Sequence, residues 1–206
     1  QIYTKLSFQP TENQKKIINS LSSYLAEDDF STIFVLNGYA GTGKTTLIAA
    51  TVSALKSLGI KTVLLAPTGR AAKVLSQYSG EKAFTIHKKI YREQTNASYE
   101  SKFSLNLNRE CDTLFIVDEA SMISTEPQIA TAGMPMFIGN GGGLIDDLIT
   151  YVYSGKNCRL MLIGDTAQLP PVGEDEAPAL QKGVIECYGL NVFEYDIMEV
   201  VRQKSV

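Results

Sequence analysis

The sequence predicts an α/β domain whose parallel sheet is covered by helices on both faces. Three observations carry this. Apolar strands at residues 33–36, 61–66, 113–117 and 159–163 alternate with helical patterns, as expected of strands buried on both sides. A glycine-rich run, Gly38-Tyr39-Ala40-Gly41-Thr42-Gly43-Lys44-Thr45, separates the first strand from a helix. The third and fourth strands end at Asp118-Glu119 and Gly164-Asp165, and ligands of open parallel sheets collect at strand carboxyl ends.

The elements follow in order. Residues 11–25 read as a helix starting at Thr11 or Glu12, with Ile17, Ile18, Leu21 and Leu25 on one face. After the strand at 33–36, residues 47–58 form a second helix with Leu47, Ile48, Val52 and Leu55 at helical spacing. The strand at 61–66 leads into a helix at 70–77, and residues 85–91 form a short helix with Thr85 as N-cap. Residues 92–112 are polar, with an alternation at Phe103-Ser104-Leu105-Asn106-Leu107, and read as a small hairpin insertion. Residues 127–143 hold two prolines and five glycines and read as a mobile surface loop. A helix at 144–153 and the strand at 159–163 complete the pattern, and there is no internal repeat.

Bulk properties set limits. The 206 residues suit one domain, 1–206, and a hydrophobic fraction of 44% suffices for a core. No apolar run is long enough to span a membrane. Cys111, Cys158 and Cys187 lack metal or disulfide spacing, and His87 is the only histidine. A reducing, cytoplasmic setting is the expectation. The net charge is −3, but residues 56–102 carry nine Lys/Arg against three Glu. Such an asymmetry marks either an anionic partner or a solvated basic face.

The glycine run fits G-x-x-x-x-G-K-[ST], the phosphate-binding P-loop. Glycines let the backbone approach phosphate, and a helix N-terminus favours negative charge. Gly38, Gly41, Thr42, Gly43, Lys44, Thr45 and Thr46 are therefore the candidate nucleotide contacts. Lys44 reaches the β- and γ-phosphates, and the Thr45 hydroxyl ligates Mg²⁺. Asp118-Glu119 suits a Walker B pair, with Asp118 on the metal and Glu119 deprotonating the attacking water. The cofactors expected are ATP and Mg²⁺.

With these segments in hand, a resemblance becomes specific. Phe8-Gln9-Pro10-Thr11-Glu12-Asn13-Gln14 resembles an adenine-recognising Q motif, and Ala66-Pro67-Thr68-Gly69-Arg70-Ala71-Ala72-Lys73 resembles helicase motif Ia. Thr85-Ile86-His87 resembles motif Ib, and Gly164-Asp165-Thr166-Ala167-Gln168-Leu169-Pro170-Pro171 resembles motif III. Glu199-Val200-Val201-Arg202-Gln203 resembles the start of motif IV. Together with the P-loop and Asp118-Glu119, the chain resembles the first RecA-like motor domain of a superfamily 1 DNA helicase of the RecD-like, exonuclease V alpha-subunit type.

That resemblance implies roles. Gln14 would read adenine, Gln168 would couple the γ-phosphate to DNA, and Arg202 would act as a charged finger. Thr68, Arg70 and His87 would contact single-stranded DNA. The 92–112 insertion would be a small 1B-like hairpin. The implied activity is ATP-driven, 5′-to-3′ DNA unwinding in repair or recombination, with other repair proteins as further partners. A second RecA-like domain, with motifs V and VI, would be missing from this sequence, so the fragment is expected to bind nucleotide weakly and hydrolyse it slowly. The other classes open to a P-loop chain are a kinase, a protein-directed AAA+-type ATPase and a nucleic-acid module with a relic ATP site. A kinase would need an acceptor pocket and a lid, and an AAA+ protein a small helical domain.

Overall fold

The computed structural model describes residues 2–6, 9–39, 41–95, 101–126, 136–138 and 142–197. The chain opens with α1 (Ile2–Lys5) and α2 (Glu12–Ala26), then β1 (Thr32–Gly38), α3 (Lys44–Ser57) and β2 (Lys61–Ala66). Next come α4 (Gly69–Ser79), β3 (Ala83–Thr85), α5 (Ile86–Ile90), β4 (Tyr91–Thr95), β5 (Ser101–Leu105) and β6 (Thr113–Val117). A 3₁₀ turn (Ala120–Met122) precedes β7 (Met136–Ile138), α6 (Leu144–Tyr153) and β8 (Arg159–Gly164). A second 3₁₀ turn (Pro178–Leu180), α7 (Lys182–Glu186) and β9 (Asn191–Ile197) follow.

The main sheet has six strands in the order β3-β2-β6-β8-β1-β9, and each pairing is parallel. Alternation along each strand divides the core. Ile33, Val35, Phe115, Val117, Leu160 and Leu162 face α5 and α6 in one cluster. Phe34, Leu36, Leu114, Ile116, Met161 and Ile163 face α2 and α3 in the other. With both faces covered, the strands read as unbroken apolar runs, and β1, β6 and β8 are buried throughout. The α/β, P-loop architecture predicted from sequence is thus observed.

Local signals set the helix starts. In α2, Thr11 is the N-cap and forms a capping box with Gln14. Tyr24, rather than Leu25, completes its buried face. The Tyr24 hydroxyl donates to the Leu160 carbonyl at 2.8 Å, fixing α2 over β8. Thr85 caps α5, its hydroxyl accepting from the Lys88 N–H at 3.2 Å. The helix expected from residue 47 begins at Lys44. Loop-like residues therefore occupy its first turn, a difference that matters for the site.

Strands β9 and β7 depart from the sequence reading, whereas the hairpin expected at 92–112 is present. β9 pairs with β1 over seven residues, from Thr32↔Asn191 to Gly38↔Ile197, yet was not expected. As an edge strand it mixes exposed Asn191, Glu194 and Asp196 with part-buried residues, and only Ile197 is buried, so it lacks the apolar run that marks the inner strands. Residues 92–112 do contain a hairpin, β4 against β5. The segment expected to be wholly irregular, 127–143, contains β7, which pairs parallel with β5. Two insertions distant in sequence thus share one three-stranded sheet.

Tyr91, at the root of this small sheet, is buried, and its hydroxyl donates to the buried Asp147 carboxylate of α6 at 2.6 Å. Burial raises the Tyr91 pKa, with the hydrogen bond to Asp147 adding to it. Tyr91→Phe removes one donor from a buried carboxylate and should cost about 1–3 kcal/mol in urea unfolding. An unchanged denaturation midpoint would show that this contact does not tie the insertion to the core.

Candidate nucleotide-binding site

The P-loop joins the carboxyl end of β1 to α3. Gly41 and Gly43 have φ of +79° and +85°, a region that favours glycine. A Cβ at Gly43 would also meet the Gln14 Nε2 at 3.2 Å. Gly43 is the helix N-cap and supplies no side-chain cap. The first-turn N–H groups of α3, including those of Lys44, Thr45 and Thr46, are thus left for an anion. Thr45 is half-buried and Thr46 exposed. Thr42 is fully buried, its hydroxyl donating to the Tyr39 carbonyl at 2.8 Å.

The Lys44 ammonium lies back on its own loop, donating to the Gly38 carbonyl and to the Tyr39 carbonyl at 2.9 Å. Burial lowers its pKa, while the charges of Asp165 and Asp118 work in the opposite direction. Those carboxylates arrive from β8 and β6. The order β6-β8-β1 places the ends of the three strands side by side. Asp165 is 4% exposed, and its carboxylate accepts from the Ala167 N–H at 2.9 Å. Asp165 is not among the candidate residues that the motifs single out. Its place directly after an apolar strand, like that of Asp118, was the available signal.

Asp118 accepts from the Glu119 N–H at 3.0 Å. Its pKa is raised chiefly by burial and secondarily by the Glu119 charge, and is lowered by the Glu119 N–H and by Lys44. Glu119 has φ +56° and ψ +37°, the left-handed region, where a side chain costs about 1–2 kcal/mol. Among the described residues, Asp112 and Asn157 are the other non-glycine residues with positive φ.

Gln14 is 2% exposed, and its amide is already engaged. Its Oε1 accepts from the Thr11 N–H at 3.1 Å, and its Nε2 donates to the Thr42 carbonyl at 3.4 Å. It therefore links the start of α2 to the P-loop. Gln168 is exposed, and its Oε1 accepts from the Ser121 hydroxyl at 3.4 Å, joining the β8 loop to the turn after Glu119. Arg202 lies outside the described residues.

The three residues selected as strand contacts take different positions. Thr68 is the N-cap of α4, its hydroxyl accepting from the Ala71 N–H at 3.2 Å. Arg70 is exposed in the first turn of that helix. His87 is half-buried with its ring 5.6 Å from Tyr91. The basic stretch is partly neutralised. Lys56 pairs with Glu81, and both Lys61 and Lys89 pair with Glu110, at 3.2 and 2.7 Å. Those pairs hold the Glu110 carboxyl below its ordinary range, mainly through the Lys89 hydrogen bond. Arg70, Lys73 and Lys88 are exposed near the N-termini of α4 and α5.

A glycine loop feeding a helix, with carboxylates at the ends of the two next strands, defines a P-loop nucleotide-binding domain. An AAA domain family model matches residues 11–131, more than half of the chain, and the chain belongs to that family. It is similar to the ATP-dependent RecD2 DNA helicase of Deinococcus radiodurans, at 31% identity over 162 residues. These cover 79% of this chain and 18% of that protein. It is also 33% identical to the ATP-dependent DNA helicase dda of Enterobacteria phage T4, over 82% of this chain and 34% of that one. The structure of unliganded Pif1 from Bacteroides sp. matches 97% of this chain and 43% of its own, with TM-score 0.54 at 20% identity. That likeness concerns the fold. The chain spans less than half the length of each of these relatives. They bear out the resemblance to the first motor domain of RecD-like superfamily 1 helicases drawn from the motifs.

Among the described residues no helix is long and apolar enough to cross a membrane.

Proposed function

We propose that this domain binds and hydrolyses ATP with Mg²⁺ as the first RecA-like motor of an ATP-dependent DNA helicase, moving 5′ to 3′ in DNA repair or recombination. One observation carries the reading. The strand ends that gather Lys44, Asp165, Asp118 and Glu119 continue, across β2 and β3, into two helix N-termini lined with exposed basic residues. A nucleotide site and an anionic-polymer surface therefore occupy one edge of one sheet.

The residues fit Mg²⁺. This ion keeps several waters and takes one or two protein oxygens plus phosphates. Thr45 and Asp118 would hold it. The ion would neutralise charge developing on the phosphates.

The chain's own groups would do the rest. The first-turn N–H groups of α3 bind the phosphates, and Lys44 leaves the carbonyls of Gly38 and Tyr39 to reach the β- and γ-phosphates. Glu119 accepts the proton of the attacking water as the bond from the γ-phosphorus to the bridging oxygen breaks, giving ADP and phosphate. Gln168 faces the γ-phosphate, and Gln14 holds the P-loop from the adenine side. Arg202 would supply a finger-like charge. Residues 1–206 are read as a single RecA-like domain carrying a 1B-like insertion at 92–112, and a second such domain would complete the γ-phosphate cage. Leu169 and Val172, 90% and 100% exposed, lie in the loop that would face it.

Single-stranded DNA would run over α4 and α5. Thr68 and Thr85 cap the two helices at the carboxyl ends of neighbouring parallel strands, Thr85 being in register with Ala66, two residues before Thr68. Their N-termini therefore point to one edge and favour phosphates. Arg70, Lys73 and Lys88 add charge there, and His87 follows Thr85. The test is ATP turnover with and without single-stranded DNA, together with a salt titration of DNA binding. Turnover should rise with DNA. The Arg70→Ala, Lys73→Ala double variant should reduce the slope of log K against log salt by about 1.4, at about 0.7 per phosphate contact on single strands. No DNA binding by the unmodified chain would overturn the DNA-motor reading and leave a nucleotide-only ATPase.

A further inference from the structure

We propose that Glu174 is a positioning residue that clamps the loop after β8 onto the segment after β6, holding the Gln168 amide at the nucleotide site. This rests on the reading that Gln168 faces the γ-phosphate.

The loop in question, residues 165–176, has little apolar anchoring. Leu169 and Val172 are almost wholly exposed. Near β8 a turn holds it, with the Gln168 N–H donating to the Asp165 carbonyl at 3.2 Å. Farther out a second turn reverses the chain, the Glu174 N–H donating to the Pro171 carbonyl at 3.1 Å. Gly173 takes φ +93° in that turn, as the third position of a type II turn demands. The reversal brings Glu174 back against the wall of the domain.

There one carboxylate oxygen, Oε1, accepts three hydrogen bonds. The Thr125 N–H donates at 2.7 Å, the Thr125 hydroxyl at 2.8 Å and the Ser124 hydroxyl at 2.8 Å. The other oxygen, Oε2, is buried with no hydrogen-bond partner among the described residues. Burying such an atom is costly, so the position is held by the three bonds on its neighbour.

The wall itself is firm. The Thr125 backbone abuts Gly143 so closely that a Cβ there would lie 2.3 Å from the Thr125 carbonyl carbon. The Ile145 N–H, at the start of α6, donates to the Ser124 carbonyl at 3.3 Å.

The same two segments touch a second time where Ser121 donates to Gln168. At 3.4 Å, on an exposed amide, that single bond is too weak to hold the loop. The Glu174 clamp, with three short bonds, supplies the restraint, and the stiff Pro170-Pro171 pair carries it toward Gln168. A misplacement of about 1 Å at such a group costs on the order of 10²-fold in rate.

The test combines amide hydrogen exchange over residues 165–176 with steady-state hydrolysis in Mg²⁺ and single-stranded DNA, on Glu174→Ala, Glu174→Gln and Thr125→Val. Glu174→Ala should speed exchange of the loop about tenfold or more and lower kcat by about 10- to 100-fold, with the KM for ATP within about twofold. Glu174→Gln keeps an accepting oxygen and should recover most of the rate. Thr125→Val, which keeps the N–H and the fold, should fall between. A non-hydrolysable ATP analogue should protect residues 165–168 in the unmodified chain and not in Glu174→Ala.

Loop exchange unchanged in Glu174→Ala would overturn the clamp. So would a loosened loop with unaltered kcat, or a loss that Glu174→Gln fails to rescue. If the unmodified chain shows no turnover, the hydrolysis reading fails instead, and the exchange and protection measurements still decide the clamp.

Discussion

Glu119→Gln is expected to bind ATP as tightly as the unmodified chain and to lose turnover by about 10²–10⁴-fold, the range for removing a positioned general base. The amide keeps the size of the side chain and cannot take a proton from water. Glu119 also sits at φ +56°, so a second variant separates strain from chemistry. Glu119→Gly relieves about 1–2 kcal/mol of left-handed strain and adds about 0.5–1 kcal/mol of unfolded-chain entropy. It should therefore be as inactive as Glu119→Gln, yet at least as stable as the unmodified chain in urea. A Glu119→Gln enzyme that turns over ATP at a normal rate would remove Glu119 from the base role. A destabilised Glu119→Gly would show that the side chain is held for packing rather than for catalysis.

Lys44→Ala is expected to weaken nucleotide binding by about 10- to 100-fold, from the loss of a charge-assisted hydrogen bond worth about 1.5–3 kcal/mol. The effect should be larger for ATP than for ADP if Lys44 contacts the terminal phosphate as proposed. Removing the ammonium also leaves the Asp118 and Asp165 carboxylates facing the triphosphate with less compensation. Stability should change little. The variant loses two bonds to the P-loop carbonyls, but it no longer has to desolvate an ammonium that is half-buried there. Titration calorimetry with ATP and ADP checks both statements. Undiminished ATP affinity in Lys44→Ala would sink the assignment of the P-loop.

Side chains brace the P-loop from within and from α2. The Lys44 ammonium satisfies the Gly38 and Tyr39 carbonyls, while Gln14 satisfies that of Thr42.

Much of this was legible in the sequence because its signals are local. The glycine spacing from Gly38 to Gly43, the N-cap threonines at Thr11 and Thr85 and the apolar runs of β1, β6 and β8 each act over a few residues. The inner strands were plain because burial on both faces leaves their middles wholly apolar and confines polar residues such as Thr32, Asn37, Thr113 and Arg159 to the ends. β9 was hidden because it lies at the edge, where exposed Asn191, Glu194 and Asp196 interrupt its apolar residues. The helix after the P-loop was placed three residues late because Lys44, Thr45 and Thr46 are polar and at most half-buried, and so add nothing to the apolar periodicity. The charge of residues 56–102 could be counted but not apportioned. Only the folded chain pairs Lys61 and Lys89 with Glu110 and leaves Arg70 and Lys73 exposed.

What the sequence by itself determined, then, is the chemistry on offer: a phosphate loop, a carboxylate pair and a row of motifs in chain order. The tertiary structure decided which of these meet. In a parallel sheet, neighbours are set by crossovers and by packing on both faces, not by proximity in the chain. β8 therefore enters between β6 and β1 and brings Asp165 beside Lys44. The same long-range packing carries Glu174 to Thr125, forty-nine residues away, and pairs β7 with β5. No local propensity encodes those contacts, because their stabilisation exists only once the sheet has assembled.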